Sequence, residues 1–151
     1  MTENQSPEEE RSRLNLPFEL SDTGHQIVTL RYGDKRVRMI LDTAAGVNVL
    51  SDQASGRLGV TVMKSDETVK GLGTSEHPVE KIQPIEVHFG ESKLLLESLL
   101  SMDLSHVAKA GGSEGIDGLL GSPFFRTFQA IINFETNRIS LLVNESSNPS
   151  I

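Results

Sequence analysis

Short stretches in which apolar and polar residues alternate occupy most of the middle of the chain. From Ile27 to Tyr32 the side chains alternate between two faces with the period of a β-strand, and the same period returns over Val37–Leu41. The segment Gly33-Asp34-Lys35 between them is typical of a turn, so the two stretches predict a β-hairpin. Ile85–Phe89 alternates in the same way and predicts a strand with one face in water.

Helical signals are few and short. Ser51 can cap a helix from Asp52 to Leu58, and Gly59 stands at the position after its end. Ser122 precedes a proline, which favours a second helix over Pro123–Phe128 with Ser122 as its capping residue. The two signals therefore predict two helices of about two turns each.

The remaining apolar stretches predict further strands. Leu94–Leu100 is apolar and follows a turn, and one or two helical turns are expected over Asp103–Lys109. Gln129–Phe134 and Ile139–Val143 flank a turn and predict a closing hairpin. The sequence as a whole predicts an all-β fold with two or three short helices.

The length of 151 residues is that of one domain. Residues 1–20 combine Ser, Pro, Glu and Arg without apolar periodicity and are interpreted as a disordered N-terminal arm. Residues 144–151 are interpreted as a disordered tail on the same grounds. The folded domain is therefore expected over residues 21–143.

Composition narrows the possible functions. A net charge of −7 provides no basic field for a nucleic-acid backbone, and four scattered histidines without cysteine favour no metal site. No stretch approaches the ~18 apolar residues of a membrane-spanning helix. No signal-peptide pattern opens the sequence. As the sequence reads, the protein is expected in the cytoplasm. If a leader has been removed, a periplasmic or membrane-tethered location is expected instead.

The candidate chemistry lies at the end of a predicted buried strand. Asp42 directly follows three large apolar residues, and two small residues, Ala44 and Ala45, stand just beyond it. Small residues allow another backbone to approach closely, which fits either a substrate or a partner chain. On these features alone, Asp42 as the cap of a turn is an equally good interpretation.

Three motifs resemble those of the retropepsin-like aspartic proteases. Ile40–Ala45 is similar to the family's active-site signature, a hydrophobic pair followed by Asp-Thr/Ser-Gly-Ala. The second signature, a hydrophobic pair and a glycine that open a short helix, is resembled by Leu119, Leu120 and Gly121. Between the two, where the family carries a glycine-rich flap tip, stand Gly71, Leu72 and Gly73. The resemblance spans about Gln26–Val143 and is greatest to small single-domain members encoded outside retroviruses, especially in bacteria.

The resemblance implies a closed all-β half-barrel and an aspartic endopeptidase that uses no metal or other cofactor. Amide hydrolysis of this kind needs a general base and a general acid, and two carboxylates about 3 Å apart can share one proton and supply both. The chain carries one such motif. The resemblance therefore implies that the second carboxylate is Asp42 of an identical subunit across a two-fold axis, with a polypeptide as substrate.

The same resemblance assigns the neighbouring residues. Thr43 would join the two active-site loops across the two-fold axis, and Gly71–Gly73 would cover the substrate as a flap. Ala44 departs from the family's glycine, which is a mild steric change at negative φ but costs about 1 kcal/mol or more at positive φ. Asp117 lies in the second signature but is expected to have a turn or helix-capping role.

Two other functions remain compatible with the sequence. A domain of the same fold could grip an extended peptide by β-pairing without cutting it. A small scaffold domain could use Asp42 only to cap a turn. A dimer in which two Asp42 carboxylates face each other would favour the protease, and a monomer would favour the two alternatives.

Overall fold

The computed structural model describes residues 11–69 and 77–144. Its strands, numbered in chain order, are β1 (Arg11–Pro17), β2 (Glu19–Leu20), β3 (Gln26–Tyr32), β4 (Lys35–Leu41), β5 (Asn48–Ser51), β6 (Val62–Val69), β7 (His77–Ile82), β8 (Ile85–Phe89), β9 (Ser92–Leu96), β10 (Leu99–Met102), β11 (Gly118–Leu120), β12 (Ile131–Asn133) and β13 (Arg138–Asn144). Its helical segments are α1 (Asp52–Leu58), a 3-10 segment (Ser105–Glu114) and α2 (Ser122–Thr127). Within these described ranges, no helix is long and apolar enough to cross a membrane.

The elements with local signals form as the sequence predicts. β3 and β4 pair as an antiparallel hairpin with Val28 opposite Met39. Ser51 caps α1 because its hydroxyl accepts the Ala54 N–H at 3.0 Å. Gly59 ends the helix at φ 73°, a conformation that glycine adopts without a Cβ penalty.

Three boundaries differ from the predicted ones. The apolar run 94–100 is divided between β9 and β10 by Ser98, whose φ is +58°. The helical turn expected over 103–109 begins at Ser105, and the 3-10 segment that it opens is interrupted at Gly112, whose φ is 73° and ψ −153°. α2 includes Ser122 itself, Gly121 occupies the capping position, and no side chain caps that helix. These ends depend on local backbone geometry, which hydrophobic period does not encode.

The expected disordered arm is wrong for residues 11–20, which belong to the folded domain. β1 pairs with β13 along its whole length, and β2 pairs with β3. Leu16 and Phe18 are 1% and 5% exposed, so burial of these side chains offsets the entropy of ordering the segment. The folded domain therefore begins by residue 11 and includes Asn144, while residues 1–10 and 145–151 lie outside the described residues.

The strands form two sheets. The large one curls into a half-barrel, with strand order β6-β7-β10-β5-β11-β4-β3-β8-β9 and β2 attached to β3. The small sheet has the order β1-β13-β12. In the large sheet, β11 lies between β4, to which it runs parallel, and β5, to which it runs antiparallel. The chain thus passes from β4 to β5 around the end of a strand that comes much later in the sequence.

Both faces of the central strands are buried. Met39 of β4, Leu50 of β5 and Leu120 of β11 point into the main core. On the opposite face lies a smaller apolar group, here called the second cluster, which consists of Ile27, Ile40, Val49, Val79, Met102, Leu104 and Leu119. The loop after β4 therefore emerges from a strand that is packed on both sides, which fixes where that loop begins.

Candidate active site

Asp42 follows the last residue of β4 and is held by its backbone. Its N–H donates to the Leu120 carbonyl at 2.9 Å, which extends the pairing of β4 with β11 by one residue. Its own carbonyl accepts the Ala45 N–H at 3.1 Å and closes a tight turn. The carboxylate is half-buried, and its Oδ1 accepts the Ala44 N–H at 3.1 Å. The second carboxylate oxygen, Oδ2, has no hydrogen-bond donor among the described residues.

The active-site loop is packed against the second signature. The Ser122 N–H donates to the Ala45 carbonyl at 2.7 Å, and a Cβ on Gly121 would lie 2.6 Å from that same oxygen. Any larger residue at position 121 would force the loop away, so this glycine is required by close approach rather than by backbone conformation. The structure thus brings Asp42–Ala45 together with Leu119–Gly121.

Asn48 secures the far end of the loop and was not identified from the sequence. Its side chain is 3% exposed, and its Oδ1 accepts the Gly121 N–H at 2.8 Å. Its Nδ2 donates to the Glu97 carbonyl at 3.1 Å, so both ends of the amide are satisfied. The sequence feature that could have identified Asn48 is its position as the polar residue within the apolar run Val47–Leu50.

Asp117 has a structural role, although it caps no helix. Its carboxylate accepts the Arg38 N–H at 2.7 Å through Oδ2 and the Arg57 guanidinium at 2.7 Å through Oδ1. Its carbonyl accepts the Ser51 N–H at 2.8 Å. Asp117 therefore joins β4, the end of α1 and the start of β11, and its carboxylate is engaged away from the Asp42 loop.

Of the other residues assigned from the sequence, Thr43 and Ala44 are exposed and Ala45 is buried. Gly71, Leu72 and Gly73, the expected flap tip, lie outside the described residues. The two strands that lead to and from that segment, β6 and β7, are antiparallel neighbours.

A cavity of about 500 Å³ opens beside the active-site loop. Its walls come from the loop, from the β6–β7 pair, from β10 and from the start of α2, and its lining residues are Gly46, Val47, Met63, Lys81, Ile82, Ser98, Leu99, Leu100 and Pro123. Most of these side chains are apolar. The cavity is therefore large enough and apolar enough for side chains of a bound peptide.

Solved structures with the same fold include several proteases. A retropepsin-like aspartic protease from Rickettsia conorii is 14% identical, with a TM-score of 0.53 over 88% of this chain and 92% of that one. The EIAV protease, solved with the inhibitor HBY-793, is 15% identical, with a TM-score of 0.54 over 73% of this chain and 93% of that one. The retroviral protease-like domain of Ddi1 from Leishmania major is 15% identical, with a TM-score of 0.54 over 80% of this chain and 95% of that one.

Sequence comparison gives the family. No curated protein sequence matches the chain. A sequence model of the aspartyl protease family, however, matches residues 28–124, which include the Asp42 loop, α1 and the second signature. Because that match covers more than half of the 151 residues and the fold is that of the retropepsins, the chain belongs to the aspartyl protease family as a retropepsin-like member.

Proposed function

We propose that this protein is an aspartic endopeptidase in which Asp42 and the Asp42 of a second copy activate one water molecule. The observation that carries the proposal is the half-buried Asp42, which lies in a loop that is hydrogen-bonded to β11 and packed closely against Gly121. A pair of such carboxylates cannot both ionise at about 3 Å, so one serves as base and the other, protonated, as acid. The pair then titrates as a unit.

The second carboxylate has to come from a second chain. Asp117, the other acid in the two signatures, is bound to Arg57 and to the Arg38 N–H and is not free to act with Asp42. A two-fold axis through the active-site loops would place two copies of Asp42 side by side. Thr43 and Ala44 are exposed in the protomer, as residues at such a contact must be before assembly.

One edge of the small sheet supports pairing with a second copy. β12 is an edge strand; its first residue, Ile131, is 56% exposed, and Phe134, directly after its last residue, is 63% exposed. The opposite edge strand, β1, carries exposed Arg11 and Arg13, whose charges would repel those of a second copy. β12 is the next strand after α2, and α2 begins at Ser122, whose N–H donates to the Ala45 carbonyl of the active-site loop. We therefore assign the dimer contact to the β12 edge.

The cavity beside Gly46 and Val47 supports an extended peptide as the substrate. It is bounded by β-strands, and Gly46 and Val47, which follow the Asp42–Ala45 loop in the chain, form part of its wall. Gly71–Gly73, between β6 and β7, would cover the bound peptide as a flap. Binding without cleavage, the alternative left open by the sequence, is tested by the same experiment as cleavage.

We expect Asp42→Asn to abolish cleavage of a peptide library while leaving the fold and peptide binding intact. The amide is nearly the same size as the carboxylate but cannot act as a base. Cleavage products are measured by mass spectrometry, folding by thermal unfolding, and binding by calorimetry. Turnover retained in purified Asp42→Asn would contradict the aspartic mechanism. Binding by the wild-type protein with no cleavage over a range of acidic and neutral pH would favour the binding module.

A further inference from the structure

Arg38 carries a positive charge into the interior of the protein. It lies in β4, two residues before Ile40 and therefore on the face that packs into the second cluster. Its side chain is only 6% exposed. A guanidinium at such a depth has to be surrounded by acceptors, because its transfer from water is otherwise unfavourable.

The acceptors come mainly from one glycine-rich loop, Gly111–Gly115, to which the sequence assigned no role. Arg38 Nη1 donates to the Gly111 carbonyl at 3.2 Å and also to the Gly115 carbonyl. Arg38 Nη2 donates to Glu19 Oε2 at 3.3 Å. Arg38 Nε has no hydrogen-bond partner among the described residues and lies 3.7 Å from Glu114 Oε1, within ion-pair range. The loop thus wraps around the guanidinium.

Two glycines of this loop have backbone positions that a residue with a side chain could not easily occupy. A Cβ on Gly111 would lie 2.5 Å from Ile116 Cγ2 and 3.3 Å from Arg38 Nη1, so a larger residue would clash with Ile116 and displace the loop. Gly115 has a φ of 72°, which side-chain-bearing residues rarely adopt. The two glycines therefore allow the tight path on which the loop carbonyls reach Arg38.

The same residue connects the loop to Asp42 through the backbone. The Arg38 N–H donates to Asp117 Oδ2 at 2.7 Å, and the Asp117 N–H donates to the Arg38 carbonyl at 2.8 Å. Asp117 immediately precedes β11, whose last residue, Leu120, accepts the Asp42 N–H. The β4 backbone at position 38 thus holds Asp117, and the Arg38 guanidinium holds Gly115, two residues earlier in the chain, so backbone and side chain together fix the segment that leads into β11.

We infer that Arg38 is a positioning residue for Asp42, acting through the Gly111–Gly115 loop and β11. The inference rests on the proposed function, since it assigns Arg38 a part in that site, although Arg38 itself touches neither the substrate nor the reacting atoms. Without the guanidinium, the loop loses the donor that joins its two ends. β11 can then shift relative to β4, and the Asp42 carboxylate moves with it.

The test compares Arg38→Met with Arg36→Met. Methionine keeps the apolar stem of Arg38 in the interior. Arg36→Met, on the same strand, removes an equal charge from a side chain that is 63% exposed and that reaches the loop only through an ion pair with the exposed Glu114 at 3.7 Å, a contact of little energetic weight. A displacement of about 1 Å at a reacting group costs up to a hundredfold, so kcat of Arg38→Met should fall about tenfold to a hundredfold with little change in KM. Arg36→Met should match the wild type in both constants.

Hydrogen–deuterium exchange separates positioning from general stability. In folded Arg38→Met we expect faster exchange over residues 111–121 and at the Asp42 amide, with unchanged exchange in β8, β9 and β13. Wild-type kcat in that variant would overturn the inference, and so would faster exchange spread evenly over the whole chain. If Arg38→Met does not fold, Arg38→Lys is measured instead. Lysine keeps the charge but lacks the planar guanidinium that can donate to several carbonyls at once, so we expect its kcat to be below that of the wild type. A wild-type kcat in Arg38→Lys would then overturn the inference.

The two proposals fail in different ways. If the wild-type protein cleaves no peptide, the proposed function is wrong, but the exchange measurement still decides whether Arg38 holds β11 and the Asp42 amide in place. If the wild type cleaves and Arg38→Met cleaves equally well, the function stands and the role of Arg38 is wrong.

Discussion

Ala44 stands where the family's active-site signature has glycine, and its backbone shows why the chain accommodates it. In the described part of the chain, the non-glycine residues with positive φ are Ser98, Gln129 and Asn137. Ala44 therefore has negative φ and bears no left-handed strain. Of the two cases that the sequence left open, the structure has the mild one, in which the only effect of the extra methyl group is steric. That group is exposed in the protomer.

A valine at position 44 should therefore act only on the assembled site. We expect Ala44→Val to change the free energy of unfolding of the protomer by no more than about 0.5 kcal/mol, as at other exposed positions. At a crowded two-fold contact the added methyl groups cost about 1–3 kcal/mol, which would lower kcat/KM about tenfold to a hundredfold. Ala44→Gly serves as the control and should retain kcat/KM. Kinetics combined with sedimentation would check this.

If Ala44→Val matched the wild type in both activity and self-association, Ala44 would not lie at a crowded contact. The assignment of Thr43 and Ala44 to the two-fold axis would then be wrong, whereas the role of Asp42 would still rest on Asp42→Asn.

At the scale of elements, β1 is a strand that the polar composition of residues 1–20 obscured, although apolar residues do alternate along it. It pairs with seven consecutive residues of β13, and it places Leu16 in the main core. Alternation is present over Leu14, Leu16 and Phe18, but polar residues before and after it gave the segment the composition of a flexible arm. Its stability comes from tertiary pairing rather than from intrinsic β-propensity.

Truncation of one side chain tests this assignment. Leu16→Ala should lower the free energy of unfolding by about 2–5 kcal/mol, because it leaves a cavity at a site that is 1% exposed. Leu20→Ala, in β2, is the matched control. Because Leu20 is 53% exposed, this substitution should lower the free energy of unfolding by no more than about 0.5 kcal/mol. Urea-induced unfolding followed by circular dichroism measures both. Equal stabilities for the two variants would show that residues 11–17 do not pack on the core in solution.

At the scale of the whole molecule, the proposed mechanism requires two chains to complete one site. A protomer supplies one Asp42, and the β12 edge offers uncharged, exposed residues for a second copy. Exposed edge strands readily pair with other chains unless charges or proline oppose it. Activity is therefore expected to depend on the concentration of dimer rather than of chain.

We expect specific activity to fall on dilution below the dimer dissociation constant, and Ile131→Lys to raise that constant at least tenfold. Lysine at the first residue of β12 would place a charge from each copy within the proposed contact. Leu95→Lys is the control, because Leu95 is 51% exposed on β9, an edge strand of the other sheet. Sedimentation and activity over a dilution series would measure both variants. Specific activity independent of concentration would indicate a complete site within one chain.

The sequence alone determined the features that depend on neighbours in the chain. The β3–β4 hairpin follows from period-two alternation around a turn, and α1 follows from Ser51 and Gly59, because strand period and helix caps are local. The order of the two signatures was also sufficient to indicate the family, since Asp42 and Gly121 stand in short, contiguous motifs.

Only the tertiary structure decided which distant residues meet. Arg38 reads as a charged residue in an apolar strand, and its acceptors Gly111 and Gly115 are more than 70 positions away. Insertion of β11 between β4 and β5 gives Asp42 its backbone partner, Leu120, in the same way. Strand order fixes these contacts, and strand order depends on how the whole chain buries its apolar faces. A local period specifies which face of a strand is buried but not which strand lies beside it.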